Sequence, residues 1–302
     1  MSNLKAILQA LLVTFLWSTS FIIIKWGLAD IPPITFAGLR YFIAFLCLLP
    51  FAIRKKNLEI VKNLDRKILI KLFLLGVLFY ALTQGAQFLG LSLLPAVTVS
   101  LLLNFTPVIV AVLAIFMISE FPTIVQWLGV FLFVVGIIIY FSPIYFSPSE
   151  ITGLIVMSIG VGANALSAVL GRDINRTGKI SPLVVTVISM GVGGIILLAT
   201  GLLFQGLPSL SFINIIYLLW LAIINTAMAF TIWNLTLRSL TAMESSIING
   251  TMLIQIAVLA YIFLGESLSV KEGVGLLIAA CGAVMVQLKL KRVKRSKIMD
   301  KF

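Results

Sequence analysis

The chain is 302 residues long, 61% hydrophobic and only 11% charged, with a formal net charge of +12 and a mean hydropathy of +1.18. A water-soluble chain is charged at roughly a quarter of its positions, so the composition excludes an ordinary soluble domain and points to lipid as the solvent. The positive charge is gathered in short segments rather than spread over a polar surface, which argues against nucleic acid as a partner.

In chain order, apolar stretches long enough to cross a hydrocarbon core of about 30 Å as helix lie near 5–28, 34–53, 68–91, 95–118, 122–141, 150–173, 181–204, 212–236, 242–264 and 270–289. The predicted fold is an all-α integral membrane protein with ten transmembrane helices. Breakers separate the stretches: "IPP" at 31–33, "FPT" at 121–123, "FSPSE" at 146–150, "ISP" at 180–182 and "QGLPS" at 205–209. The first stretch is too long, and lacks the small-residue cleavage site, for a removable signal peptide.

Ten spans put both termini on one side of the membrane. On that side fall Lys5, the cluster Arg54, Lys55, Lys56, Lys62, Arg66, Lys67 and Lys71, the group Arg172, Arg176 and Lys179, then Arg238 and "KLKRVKRSK" at 289–297. The positive-inside rule makes that side cytoplasmic, with the inner (plasma) membrane as the expected location. The basic tail, 290–302, is expected to meet anionic headgroups.

The sequence offers little to catalysis. It has no histidine, which removes the commonest general base and metal ligand together. Cys47 and Cys281 sit in apolar stretches with no spacing pattern, against a disulfide framework or a zinc site. No Asp or Glu lies well inside a span, so a carboxylate relay for proton coupling is absent, and with it the paired carboxylates of an intramembrane hydrolase. A GxxxxGK[ST] phosphate loop is missing as well. Neither cofactor nor metal is expected, and the protein reads as a non-enzyme.

"AVLAIFMISE" at 111–120 returns 146 residues later as "AVLAYIFLGE" at 257–266. The same offset aligns Leu94 with Leu240, Ser100 with Ser246, Glu120 with Glu266, Gly129 with Gly275 and Gly136 with Gly282. The chain divides into five-helix halves, 1–145 and 146–289. Because five is odd, the second half enters the membrane from the opposite face, giving two inverted repeats. Each glutamate falls where its helix leaves the membrane, and the simple expectation is that it caps the next helix. The glycines, seven apart in each half, read as close helix packing.

These motifs carry a resemblance. "FLWSTSFIIIK", "PPITFAGLRYF", "TPVIVAVLAIFMISE…WLGVFLFVVG" and "TAMAFTIWNLTLRSL…AVLAYIFLGESLSVKEGVGLLIAACG" together resemble the ten-helix EamA-type members of the drug/metabolite transporter superfamily across nearly the whole chain. The resemblance implies movement of a small organic solute, often export of amino acids or related metabolites. Efflux of lipophilic cations is the alternative within transport; that site would want an intramembrane carboxylate. A non-transporting scaffold and an intramembrane enzyme are the remaining alternatives.

Polar groups within the spans cannot face lipid cheaply. Trp17 and Asn164 occupy equivalent places near the middle of the first and sixth stretches, and Asn104 falls near the middle of the fourth, opposite Asn249 in the ninth. Tyr80 and Gln84, four apart, share a helical face in the third, and Asn225, Ala229 and Trp233 form a stripe on the eighth. With Gln255 and Arg40 these are the candidate solute-binding residues. Arg40 has a second, simpler reading, as an arginine that snorkels or binds backbone carbonyls; as a site residue it would hold a carboxylate or guard the outer mouth. Lys25 reads as snorkelling at its helix end. Arg40 has no basic partner in the second half, where its counterpart falls near Ser189.

Overall fold

The computed structural model describes residues 3–54, 57, 61–62, 64–118, 123–143, 145–176, 180–236, 239–240 and 242–287. Among them the chain is all-helical, without a strand. The helices are α1 (Asn3–Gly27), α2 (Pro33–Ala52), α3 (Arg66–Leu93), α4 (Ala96–Leu103 and Thr106–Ile118), α5 (Ile124–Phe141), α6 (Pro148–Arg176), α7 (Pro182–Phe204), α8 (Phe212–Leu219 continuing to Thr236), α9 (Ala242–Leu264) and α10 (Val270–Gln287). Among the described residues, eight are long and apolar enough to span a bilayer.

The breakers act as their chemistry dictates. Pro33 and Pro182 open α2 and α7 at positions where a missing N–H is harmless. Thr123 and Gln126 close a capping box at the start of α5. Ser181 and Ser211 accept backbone N–H groups at the starts of α7 and α8.

Two helices carry turns that hydropathy does not signal. The middle of α3, Gly76–Thr83, and the middle of α8, Trp220–Met228, are π-helical. In each wide turn a threonine hydroxyl donates to the carbonyl five residues back: Thr83 to Leu78 O and Thr226 to Leu221 O, both at 2.8 Å. A third irregularity breaks α4 at Asn104–Phe105. Pro107 lacks an N–H, so Leu103 O loses its usual i+4 donor.

The most extensive contacts join α5 to α10 and α2 to α7; α1 packs on α8 and α9, and α6 on α3 and α4. The α5–α10 crossing runs through the glycines. A Cβ on Gly129 or Gly282 would meet the other's carbonyl oxygen at 2.8 or 2.6 Å, and Gly136 and Gly275 repeat the relation at 2.6 and 2.8 Å. In the α2–α7 contact, a Cβ on Gly201 would lie 2.6 Å from Thr35 Cα.

The bundle has two ends. At the terminal face Ala6 and Ala10 of α1 pack with Leu240 and Ile248, the Lys71–Asp173 ion pair (2.6 Å) joins the start of α3 to the end of α6, and Gln126 Nε2 donates to Val286 O at 3.0 Å. At the far face Gln205 Oε1 accepts from Ile34 N and Thr35 N, and Asn214 Nδ2 donates to Asp30.

Glu266 belongs to this far face and corrects one expectation. Its carboxylate does not cap the next helix; Ser269 and Glu272 do that for α10. Instead Glu266 accepts from Ala96 N (2.7 Å) and Val97 N (3.2 Å), capping α4 in the other half of the chain. Gly265, at φ +67°, supplies the left-handed turn that lets the chain leave α9 with Glu266 N bonded to Ala260 O. Glu120 and the tail 290–302 lie outside the described residues.

Candidate solute cavity

A cavity of about 340 Å³ opens within the bundle, lined from α1, α2, α3, α4, α6, α8, α9 and α10. Its lining reaches Gln287, the last described residue of α10, and Asn249, seven residues into α9, so it extends to the terminal face. Towards the far face Phe36, Phe88, Leu91, Leu101 and Leu253 are packed in the main apolar core.

Six of the ten residues expected from the sequence line this space: Trp17, Arg40, Gln84, Asn104, Asn164 and Asn249. Asn104 sits at the break of α4, held by Nδ2 donating to Ser100 O at 2.9 Å. Asn164 Nδ2 donates to Thr106 Oγ1 at 3.0 Å, tying α6 to the second segment of α4. Gln84 Oε1 accepts from Tyr41 OH at 2.6 Å. Irregular backbone at membrane depth is tolerated where it borders a wet cavity, and the α4 break does so.

The other four do not line it. Tyr80 is turned into the protein beside Tyr41, ring centroids 5.6 Å apart. Asn225 is fully buried against α1, its Nδ2 within 2.6 Å of Leu16 O and 2.7 Å of Ser20 Oγ. Gln255 bridges α9 to α1 through Ser18 Oγ (2.9 Å) and Thr14 Oγ1 (3.3 Å). Trp233 supports the cavity wall from behind, its ring 5.3 Å from that of Trp17.

The π turns explain part of this. A wide turn shifts the helical frame, so a stripe counted at i, i+4 through it does not stay on one face. Along α3, Phe79, Thr83 and Gln87 join Gln84 at the cavity while Tyr80 leaves it; along α8, Phe230 faces the cavity while Asn225 and Trp233 do not. Tyr41, Ser100, Met252 and Ile256 also line it unannounced. Tyr41 and Ser100 had a signal, a polar group inside an apolar span; Met252 and Ile256 had none.

Arg40 does not snorkel. It is 4% exposed, and its Nε donates to a side chain, Thr226 Oγ1 (3.1 Å), rather than to a backbone carbonyl. The guanidinium carbon lies 5.2 Å from the Tyr41 ring centroid and 5.9 Å from that of Phe88. No Asp or Glu is among the described residues lining the cavity. No group of three or more His, Cys, Asp or Glu that could hold a metal occurs among the described residues.

The fold and the cavity define a multi-pass helical membrane transporter. The EamA-like transporter family model matches the chain twice, at residues 4–142 and 151–288, and the chain belongs to that family. It is 26% identical over 309 residues to the uncharacterized transporter YoaV of Bacillus subtilis (strain 168), covering 96% of this chain and 99% of that one. It is equally identical, 26%, to the uncharacterized transporter YvbV of the same strain (99% and 97% covered) and to an uncharacterized transporter of Archaeoglobus fulgidus (95% and 99%). A crystal structure of a protein at 15% identity shares the fold with a TM-score of 0.66, covering 97% of this chain and all of the other.

Proposed function

We propose that the protein is a secondary carrier of small organic solutes, amino acids or related metabolites, and that it works by alternating access in a frame of ten spans made from two inverted five-helix repeats, 1–145 and 146–289. Exchanging the halves supports the repeats: α2–α7 and α5–α10 map onto themselves, α1–α9 maps onto α6–α4, and α1–α8 onto α6–α3, each a contact in the structure. The π turns of α3 and α8 are mates under the same exchange. The two matches of the family model follow the same division.

The observation that carries the reading is the cavity itself, with Arg40 the one charged group among its described lining residues, polar at its amides, aromatic at Trp17 and Phe230, and extended to one face. About 340 Å³ lies at the small end of the roughly 300–1,000 Å³ of ligand pockets. Opposite it, the Glu266 carboxylate ties the end of α9 to the start of α4. Rocking of one half against the other would open that far face while closing the terminal one. With the basic segments on the terminal face, this is the cytoplasm-open state, both termini lie in the cytoplasm, and the tail 290–302 meets the inner leaflet.

Efflux of lipophilic cations fits less well, because a cation entering the cavity meets Arg40 and no carboxylate among the described lining residues. Purified protein in vesicles, offered labelled amino acids, nucleosides and sugars, tests the proposal. Saturable uptake of an amino acid or related metabolite is expected; vesicles no more permeable than empty ones to the whole panel would overturn it.

A further inference from the structure

We propose that the solute carries a carboxylate and that Arg40 is its counter-ion, an assignment that rests on the carrier reading and narrows its substrate class. Arg40 is a buried cation on a cavity wall. Charge in such a place is unfavourable unless something of opposite sign comes to it. Nothing in the described protein does. The ion pair found among the described residues, Lys71–Asp173, is elsewhere, and the described residues of the cavity lining include no acidic side chain.

The partners Arg40 does have leave its charge and its fork open. Thr226 has already donated its proton to Leu221 O, so its hydroxyl only accepts, and it takes Nε. The Tyr41 and Phe88 rings offer partial cation–π compensation. The two terminal nitrogens remain, in the planar geometry that matches a carboxylate with two parallel hydrogen bonds.

The fold does not need this charge. The mate of Arg40 in the second repeat is near Ser189, which is buried and satisfied by Val185 O at 2.6 Å. The α7–α3 contact, mate of the α2–α8 contact that holds Arg40, is therefore built without a cation. A requirement of packing would be expected in both halves; a requirement of the solute is needed once.

The rest of the cavity describes the rest of the molecule. Phe21, Phe79, Phe230 and Met252 give an apolar wall, and Asn104 and Asn164 add amides. The class is a small amphipathic carboxylate with an apolar or aromatic body.

The test uses detergent-purified full-length protein and reads intrinsic fluorescence, since Trp17 lines the cavity, together with thermal unfolding. L-phenylalanine and phenylacetate are titrated against L-phenylalaninamide and phenylacetamide, which keep the body and lose the carboxylate, the second pair doing so without an ammonium group. The acids are expected to bind at least about tenfold more tightly than the amides, the advantage of a charge-assisted pair. That preference should vanish in R40Q and survive in part in R40K. Equal affinity for acid and amide in the wild type, no response to either acid, or an acid preference kept in R40Q would each overturn the assignment, and the first two need no variant to fold. Saturation by sodium chloride alone, with no competition from the acids, would assign the site to inorganic anion instead. Wild-type vesicles that move solutes without regard to a carboxylate would leave the carrier standing and remove only this inference.

Discussion

Two asparagines in apolar helices show how one residue type serves two ends. Asn225 is enclosed, with Nδ2 bonded to α1 and Oδ1 buried without a partner. N225A should lower stability by about 1–3 kcal/mol, the usual cost of a broken buried hydrogen-bond set, measured by thermal unfolding in detergent. Asn104 spends an N–H on its own helix and presents the rest of its amide to the cavity. N104A and W17A should leave the unfolding temperature near the wild-type value and reduce vesicle uptake severalfold; unchanged uptake in both would remove them from the path. From the sequence the two asparagines looked alike, because hydropathy registers a polar group in a span without saying which way it turns. Trp17 and Asn164 were legible through pseudo-symmetry, and Asn249 as a polar group in an apolar span. Tyr80 and Trp233 were misread because the stripes were counted as ideal α-helix across segments that are not.

Elements divide into those that hold and those that release. The α5–α10 crossing holds. Its glycine pairs were legible from spacing alone, and their reciprocal approach leaves no room for a side chain. G136V should cost at least about 2 kcal/mol by overpacking against backbone that cannot move aside, seen as loss of folded protein on size-exclusion chromatography; normal yield and unfolding temperature would contradict that packing. In the proposed cycle the Glu266 latch would release, since a carboxylate on two backbone N–H groups joins elements from different halves of the chain without a covalent bond. E266A should leave the protein folded and loosen the far face. In a background without Cys47 and Cys281, V97C should then react faster with an impermeant thiol reagent than it does with Glu266 intact, and equal rates would deny the latch. The glutamate's position could be read from the repeat, but its partner could not, because the N-terminus it caps is 170 residues away.

At the scale of the whole molecule, hydropathy made the membrane class legible in the sequence, since lipid demands long apolar helices, and the 146-residue offset is what raises the proposal of two halves. Other features were hidden. The paired π turns and the position of the cavity depend on how the stretches pack, and no single stretch carries that information. What unites the account is a repeat inserted once in each sense around a wet cavity that meets one face at a time. The most direct measurement is the sidedness of single-cysteine labelling in oriented vesicles, with cysteines placed in turn at Ser147 between α5 and α6, at Ser296 in the tail, and at Asn249 on the cavity wall. The account predicts that S296C and N249C react from the same side and S147C from the opposite one. S147C reacting from the side of S296C, or N249C inert from both sides, would contradict it.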